Sequence, residues 1–151
     1  MKVMPLTQGM VAVIDDDDFE LISHYKWYAA KTVAGWKATT NVNGKTVLMH
    51  RLIMGVNDPK VVVDHKHHNT LDNRKENLRV CTHLENNRNR RKSKGRKYKG
   101  VFPHWNRWRA GIRINKKLLW LGVFSTQPEA ARAYDTAALK HFGEFALTNF
   151  K

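Results

Sequence analysis

The sequence predicts an α+β fold of two small modules joined by a basic linker. The first is a β-rich N-terminal half, and the second is a three-stranded antiparallel sheet packed on one helix. Its 151 residues suit one ordinary domain or two small ones. Short apolar runs bounded by turn signals recur in both halves and indicate strands, whereas a helical pattern spans residues 127–142.

Short strands and turns are expected in the first third of the chain, with strands over residues 10–14, 36–40 and 46–52. Asn43-Gly44 is a hairpin signal before the last of these strands. Apolar residues between positions 19 and 27 indicate a short helix that enters a strand. The aspartates at 15–18 either bind a metal or cap this helix, and we expect them to cap it and complement its dipole.

A strand, a long polar loop, a second strand and a helix follow, with the strands over residues 61–65 and 78–81. Thr82 and Glu85 form a capping box, so the helix is expected to begin near His83. Asn86 then faces out from the first turn of that helix.

A run of basic residues marks the domain boundary, since eight of the twelve residues from 88 to 99 are lysine or arginine. We predict an N-terminal domain over residues 1–90, a linker over 91–97 and a C-terminal domain over 98–151. A flexible cationic segment both connects modules and follows nucleic-acid phosphates. Its candidate DNA contacts are Arg88, Arg90, Arg91 and Lys92.

Three aromatic-rich strands are expected in the last segment, over residues 97–102, 108–114 and 117–124. Thr126 and Glu129 form a second capping box, Pro128 suits the first helical turn, and Gly143 can end the helix. Alanines beside Tyr134 leave a shallow helix face, which lets the helix lie close on the sheet.

The charge of the chain is unevenly placed. Lys and Arg number 27 against 13 Asp and Glu, a net charge of +14. Residues 1–87 hold 11 basic and 10 acidic side chains, a net of +1, whereas residues 88–151 hold 16 and 3, a net of +13. This asymmetry favours a polyanionic partner, and nucleic acid is the first expectation. A basic surface that merely aids solubility is the alternative.

The single cysteine, Cys81, excludes an internal disulfide and a cysteine-rich zinc site, and it is expected to be a small core residue. The first residues lack the apolar core of a secretion signal, and no apolar run approaches the roughly 18 residues of a membrane span. We therefore expect no membrane partner. The expected compartment is the reducing cytoplasm of a host cell, near the nucleoid, without secretion.

Four polar residues of the hairpin and helix carry candidate catalytic chemistry. Phosphodiester hydrolysis needs a base to activate water and a divalent cation held by ligands. His65 supplies an imidazole, and oxygen atoms come from Asp64, Asn77 and Asn86. Adjacent side chains on a strand point to opposite faces, so an irregularity is needed for Asp64 and His65 to reach one site.

The residues VDHKHHNTLDNRKENLRVCTHLENNRNR resemble the HNH nuclease family, whose hairpin-plus-helix site is known as the ββα-metal fold. The likeness extends upstream through LMHRLIMG to LTQG and covers most of residues 7–92. It implies that His65 is the general base and that Asn77 fixes its ring by hydrogen bonding. It also implies that Asp64 and Asn86 bind one Mg²⁺ or Mn²⁺. Asn86 stands where many members have histidine, and both oxygen ligands suit hard cations, so zinc is not expected.

Five nearby residues are less determined. His67 and His68 occupy the loop and receive no assigned role, and Asn73 is expected to shape the loop rather than touch substrate. His50 and Arg51 either orient a phosphate or have a packing or hairpin role.

Residues 98–150 are similar, over nearly their full length, to the DNA-binding domain of plant ethylene-response factors of the Apetala type. The likeness is carried by Tyr98, Gly100, Val101, Trp120-Leu121-Gly122, Phe124, Ala130-Ala131, Ala133-Tyr134-Asp135 and Asn149-Phe150. It implies a sheet that enters the major groove through its strands, with candidate DNA contacts at Lys99, Trp105, Arg113 and Trp120. Trp108 and Phe124 are assigned to the core, and core packing is also the alternative for Trp105 and Trp120.

Several family contact positions are not kept. Phe102 replaces an arginine, Gly111 an acidic residue and Leu118 another arginine. We therefore expect weaker base readout and a larger share of phosphate contacts.

These features predict a homing-type, site-specific DNA endonuclease of a phage or mobile element, acting as a monomer or weak homodimer. One rival is a non-catalytic DNA-binding transcription regulator derived from a nuclease, although the intact Asp64, His65, Asn77 and Asn86 argue against it. A second rival is an RNA-binding or structural protein whose basic segment coats nucleic acid.

Overall fold

The protein has the predicted α+β fold in a computed structural model that describes residues 1–33, 35–92 and 95–150. The chain divides into two compact units, Met1–His83 and Leu84–Lys151. Its elements are β1 (Lys2–Pro5), β2 (Val11–Ile14), α1 (Phe19–Ser23), β3 (Tyr28–Thr32), β4 (Gly35–Val42), β5 (Lys45–Leu48), α2 (Met49–Ile53), β6 (Val62–His65), β7 (Leu78–Cys81), α3 (His83–Arg88), β8 (Val101–His104), β9 (Arg107–Ile114), β10 (Lys117–Phe124) and α4 (Gln127–Phe142). The predicted bounds 1–90, 91–97 and 98–151 stay predictions, and residues 93 and 94 of that linker lie outside the described residues.

Small antiparallel sheets build the first unit. β1 pairs with β2, β3 and β5 flank β4, and β6 pairs with β7. Ile14, Ile22 and Met49 are fully buried at the centre of its core. The loop after β6 is tied to β2, because Val13 donates its N–H to the Leu71 carbonyl and accepts from the Asn73 N–H. This tie fixes the loop next to the end of β6.

The predicted strand over 46–52 is wrong in its second half. β5 ends at Leu48, and α2 begins at Met49. Met49 and Ile53 are both buried, and their four-residue spacing places them on one face of a helix. Burial in the core therefore selects a helix over the predicted strand.

The acidic turn also differs from its prediction. Within the described residues, neither Asp15 nor Asp18 makes a side-chain hydrogen bond that caps the helix behind it. Lys75 is their partner instead, since its N–H donates to Asp15 Oδ2 at 2.8 Å and its Nζ to Asp18 Oδ1 at 2.6 Å. The turn thus holds the loop that precedes β7, because the Lys75 backbone N–H occupies Asp15 and the Lys75 ammonium occupies Asp18 in place of the helix end.

The second unit is a three-stranded antiparallel sheet, in the order β10-β9-β8, with α4 packed on its inner face. The helix has its predicted bounds: Thr126 Oγ1 accepts from the Glu129 N–H, and Gly143 ends it with a φ of 53°. A side chain at Gly100 would collide with the Tyr134 ring at 1.9 Å, so a glycine is required there. Asp135 accepts hydrogen bonds from the Asn149 and Phe150 N–H groups, which fastens the closing Asn-Phe pair.

Among the helices that the structure describes, none is both long and apolar enough to cross a membrane. Cys81 is buried, as expected of a small core residue.

Candidate active site and DNA-binding face

His65 is the last residue of β6 and is only 5% exposed. Its Nε2 lies 3.3 Å from Oδ1 of Asn73, a side chain that is itself fully buried. The Asn73 Nδ2 donates to the Leu71 carbonyl, which turns Oδ1 toward the imidazole. This orientation assigns the ring proton to Nε2, and Nδ1 is left as the basic nitrogen.

The two asparagines of this region have exchanged their expected roles. Asn77 Nδ2 donates to the Asp72 and Asn69 carbonyls, and its Oδ1 accepts from the His67 N–H. Among the described residues, the hydrogen-bond partner of the His65 ring is therefore Asn73 and not Asn77. The Asn77 amide does not bind the His65 ring because its donor and acceptor atoms are hydrogen-bonded to the loop backbone. Asn77 therefore stabilises the loop.

His50 packs against His65 in an edge-to-face arrangement, with ring centroids 4.8 Å apart. Burial lowers the pKa of His50 to about 3, with further lowering from His65, Lys37 and Arg51. Burial also lowers the pKa of His65, while the hydrogen bond that the ring donates to Asn73 Oδ1 acts in the opposite direction. Both rings are therefore neutral near pH 7, the state that a general base needs.

Asp64 is paired with Arg79, its direct neighbour across the hairpin. Both Nε and Nη2 of Arg79 donate to Asp64 Oδ2, at 3.1 and 2.9 Å, and the two side chains are 10% and 8% exposed. β6 runs without a register shift through His65, so Asp64 and His65 point to opposite faces. The irregularity that would bring both side chains to one site is not present.

The donor chemistry of the implied metal site fits magnesium or manganese. Among the described residues, no group of three or more His, Cys, Asp or Glu side chains could hold a metal ion. A carboxylate from Asp64 and an amide oxygen from Asn86 are hard donors, and Mg²⁺ is commonly held by one or two protein ligands with water completing its shell. Asn86 lies half-buried on α3. The shared site of Asp64 and Asn86 stays a prediction.

Arg51 has a structural role in this fold. Its Nη1 donates to the Val61 carbonyl and its Nη2 to the Asp58 carbonyl, both at 2.6 Å. These bonds hold the segment that leads into β6. The phosphate contact suggested for Arg51 would compete with both of them. Of the two loop histidines, His67 is exposed and His68 adopts a φ of 60°.

Trp105 is the more exposed of the two tryptophans that were predicted to contact DNA. It sits in the turn between β8 and β9, is 95% exposed and has a φ of 53°. A bulky residue in this left-handed region is rare and strained. Core packing is therefore excluded for Trp105. Trp108 and Phe124, by contrast, pack against the core as expected.

Trp120 lies on the outer face of the sheet and is 44% exposed. Its six-membered ring passes over Gly111, where a Cβ would lie 2.8 Å from the indole. Phe102 meets the indole edge-to-face with centroids 5.5 Å apart, and the Arg109 guanidinium lies over it at 4.6 Å. Arg113 is exposed on the same face of β9.

Basic side chains gather before β8. A cavity of about 250 Å³ is lined by Arg90, Arg91, Lys92, Arg96 and Lys99, among other residues. Lys99 is half-buried, its Nζ donates to the Arg88 carbonyl at 2.6 Å, and burial lowers its pKa to about 8. The Arg88 guanidinium stacks on Phe142 at 4.8 Å. Arg88 and Lys99 thus have internal contacts. Arg90, Arg91 and Lys92 are exposed, although Lys92 Nζ donates to the Arg96 carbonyl at 2.6 Å.

Sequence reasoning missed the positioning role of Asn73 and the pairing of Arg79 with Asp64. The pairing of Arg79 with Asp64 could have been predicted. If the first strand of the hairpin ends at His65 and the second begins at Leu78, Arg79 lies directly opposite Asp64. No sequence signal indicated the role of Asn73, since Asn73 reaches His65 only through the backbone hydrogen bond to Val13.

Replacing Asn73 should lower cleavage without lowering DNA affinity. For Asn73→Ala we expect a loss of about 10–100-fold in cleavage rate, the usual effect of removing a partner that orients a site residue. Asn73→Asp keeps an acceptor oxygen and should recover part of the rate. Asn69→Ala, on an exposed asparagine of the same loop, is the matched control. An unchanged rate in a well-folded Asn73→Ala protein contradicts the positioning role.

Titration of Lys99 should make stability rise with pH. Its pKa is about 8 in the folded chain against 10.5 for the free side chain, so the unfolded state binds more protons between these values. The free energy of unfolding should increase from pH 8 to pH 10, at less than about 1.4 kcal/mol per pH unit because the side chain is partly solvated. Lys99→Met should flatten the slope in urea unfolding. An equal slope in both proteins contradicts this assignment.

Similar proteins are known for both halves of the chain. A family profile described as HNH endonuclease matches residues 47–88, which contain all four candidate catalytic residues. An uncharacterized HNH endonuclease of Acanthamoeba polyphaga mimivirus is 31% identical over 147 residues, which cover 94% of this chain and 76% of that protein.

Plant transcription factors match part of the chain. An AP2/ERF and B3 domain-containing transcription factor of Arabidopsis thaliana is 48% identical over 62 residues, 40% of this chain and 18% of that protein. An ethylene-responsive transcription factor of the same plant is 35% identical over 97 residues, 60% of each protein. Both predicted resemblances are confirmed. By its match to the viral protein over nearly all its length, the chain belongs to the HNH endonuclease family.

Proposed function

We propose that the chain is a metal-dependent, site-specific DNA endonuclease of the homing type, carried by a phage or mobile element. The observation that carries this proposal is the buried, neutral imidazole of His65, whose Nε2 is held by Asn73 inside the matched HNH segment. A histidine fixed in one tautomer at a strand end is suited to take a proton from water.

In the proposed reaction, Nδ1 of His65 accepts a proton from the water that attacks the phosphorus atom. The new bond joins the water oxygen to phosphorus, the bond from phosphorus to the leaving oxygen breaks, and that oxygen takes a proton from solvent. The hydrogen bond to Asn73 keeps the ring in the required orientation throughout.

Asp64 and Asn86 are the residues that would hold Mg²⁺ or Mn²⁺. When bound, the cation offsets the negative charge that develops on the phosphate and the leaving oxygen. Asp64 lies one residue before the proposed base and its side chain points to the opposite face of β6, so holding a cation beside His65 would require the end of this strand to rearrange. Arg79 already neutralises the Asp64 carboxylate by binding its Oδ2. The affinity for a metal ion should therefore depend on how readily Arg79 releases this oxygen atom.

The second unit would hold duplex DNA. Its support is the exposed Trp105, the outer sheet face with Arg109 and Arg113, and the similarity to plant transcription factors. A single catalytic centre cuts one strand at each visit, so we propose a monomer or weak homodimer. We place its action on DNA in the host cytoplasm.

Cleavage of supercoiled plasmid with random inserts tests this function. The full chain should give nicked or linear product with Mg²⁺ and none with EDTA, and sequencing of the new ends should return a common site. A folded protein that binds the plasmid yet leaves it supercoiled with both Mg²⁺ and Mn²⁺ would support the regulator instead, which the plant transcription factor similarity favours.

A further inference from the structure

We propose that the outer face of the sheet reads thymine, through an apolar patch of Phe102, Leu118 and Trp120 that packs on thymine methyl groups in the major groove. This inference rests on the proposed binding of duplex DNA by the second unit. It assigns a base preference to a surface whose basic residues alone would predict only phosphate contacts.

The strand register places the three residues on one face. Phe102 is paired with Arg109, Trp120 with Gly111 and Leu118 with Arg113. The neighbouring Ala110 and Ile112 point the other way and are buried against α4. Since directly paired residues share a face, the patch lies on the side of the sheet that faces away from the helix.

Gly111 makes the patch continuous. A Cβ there would lie 2.8 Å from the Trp120 ring and 3.4 Å from Leu118 Cδ1, so both side chains cover the glycine. Phe102 extends the patch on the other side through its edge contact with Trp120. Leu118 and Trp120 are 41% and 44% exposed, which leaves this apolar surface open on the outer side.

Cations surround the patch and determine what can cover it. Arg96 stacks over Phe102 at 4.5 Å and Arg109 over Trp120 at 4.6 Å. Strands β8, β9 and β10, all described by the structure, contain no Asp or Glu. An apolar protein surface would leave these arginines without partners, whereas phosphates on either side of a groove complement them.

Thymine is the base that matches the centre of such a face. In the major groove it alone presents a methyl group, whereas cytosine presents an amino donor and guanine two acceptors. Every base pair also presents polar atoms in the major groove, including thymine O4 and adenine N6 and N7, which need partners from water or neighbouring side chains, so the methyl group is the feature that favours thymine. Packed on thymine methyl groups, the same patch removes apolar surface from water on both sides.

Replacing thymine by uracil tests the inference, because uracil pairs in the same way and lacks only the methyl group. The full chain, kept in EDTA so that it does not cut, selects from short duplexes with a randomised centre. The selected duplexes are then prepared with thymine or with uracil, and both dissociation constants are measured. We expect A·T-rich selected sequences and weaker binding of the uracil form, by about fourfold for each buried methyl group.

Two variants of one exposed residue sharpen the test. Leu118→Ala should remove much of the difference between thymine and uracil duplexes, and Leu118→Arg should shift the selection toward guanine. Leu139→Ala, at an exposed leucine on α4, is the matched control and should leave the difference intact.

The outcomes separate this inference from the proposed function. If the protein selects particular duplexes but binds their thymine and uracil forms with equal affinity, the thymine contact is overturned and the endonuclease proposal stands. Failure to retain any duplex overturns the binding role of the second unit and the inference with it.

Discussion

The His65→Ala variant should cleave DNA about 10²–10⁴-fold more slowly than the unaltered chain, the usual contribution of a positioned general base. Without the imidazole, the attacking water must lose its proton to solvent. The rate is best measured as conversion of supercoiled to nicked plasmid under enzyme excess in Mg²⁺, so that product release does not limit it.

Two measurements make this result specific. Duplex affinity in EDTA should be unchanged, because the second unit is intact in the variant. His24→Ala, at an exposed histidine that follows α1, should retain full cleavage. A His65→Ala protein that cuts at the original rate would remove His65 from the mechanism and point to a contaminating nuclease or a different base.

Arg79→Ala should lower the free energy of unfolding by about 3–5 kcal/mol, the usual cost of removing one partner of a buried ion pair. The Asp64 and Arg79 side chains are 10% and 8% exposed, so solvent does little to replace the lost guanidinium. Urea unfolding of the full chain, followed by circular dichroism, measures the change.

A double variant distinguishes the charge pair from simple loss of packing. Replacing a buried ion pair by apolar residues of similar size is often neutral. Asp64→Leu combined with Arg79→Met should therefore be much more stable than Arg79→Ala alone. A cost below about 1 kcal/mol for Arg79→Ala would show that water reaches the pair and that it behaves like a surface ion pair.

Local signals predicted the elements whose ends are fixed locally. α4 begins and ends where its capping residues and Gly143 place it, because a cap depends on neighbours in the sequence. The strand predicted across Met49 failed because burial of Met49 and Ile53 depends on the rest of the core. β1 carried no signal of its own, since Met4 alone of its four residues is buried and the strand is defined by its pairing with β2.

The candidate site was predictable in its residue types and not in its contacts. The order of Asp64, His65, Asn77 and Asn86 is a property of the motif, and the family match covers it. Which asparagine holds His65 depends on a loop anchored to Val13, far away in the sequence. Likewise, Trp105 is exposed because it occupies a turn position with left-handed backbone, a conformation that tryptophan rarely adopts.

The division between the compact units falls inside α3, whereas the family match continues to residue 88. Asp64, His65 and Asn77 precede that division, and Asn86 follows it. Recombination between related genes at this division would therefore transfer His65, the proposed base, without Asn86 on α3. Exchange of the C-terminal module should preserve an inherited set of catalytic residues only when the crossover falls after Asn86.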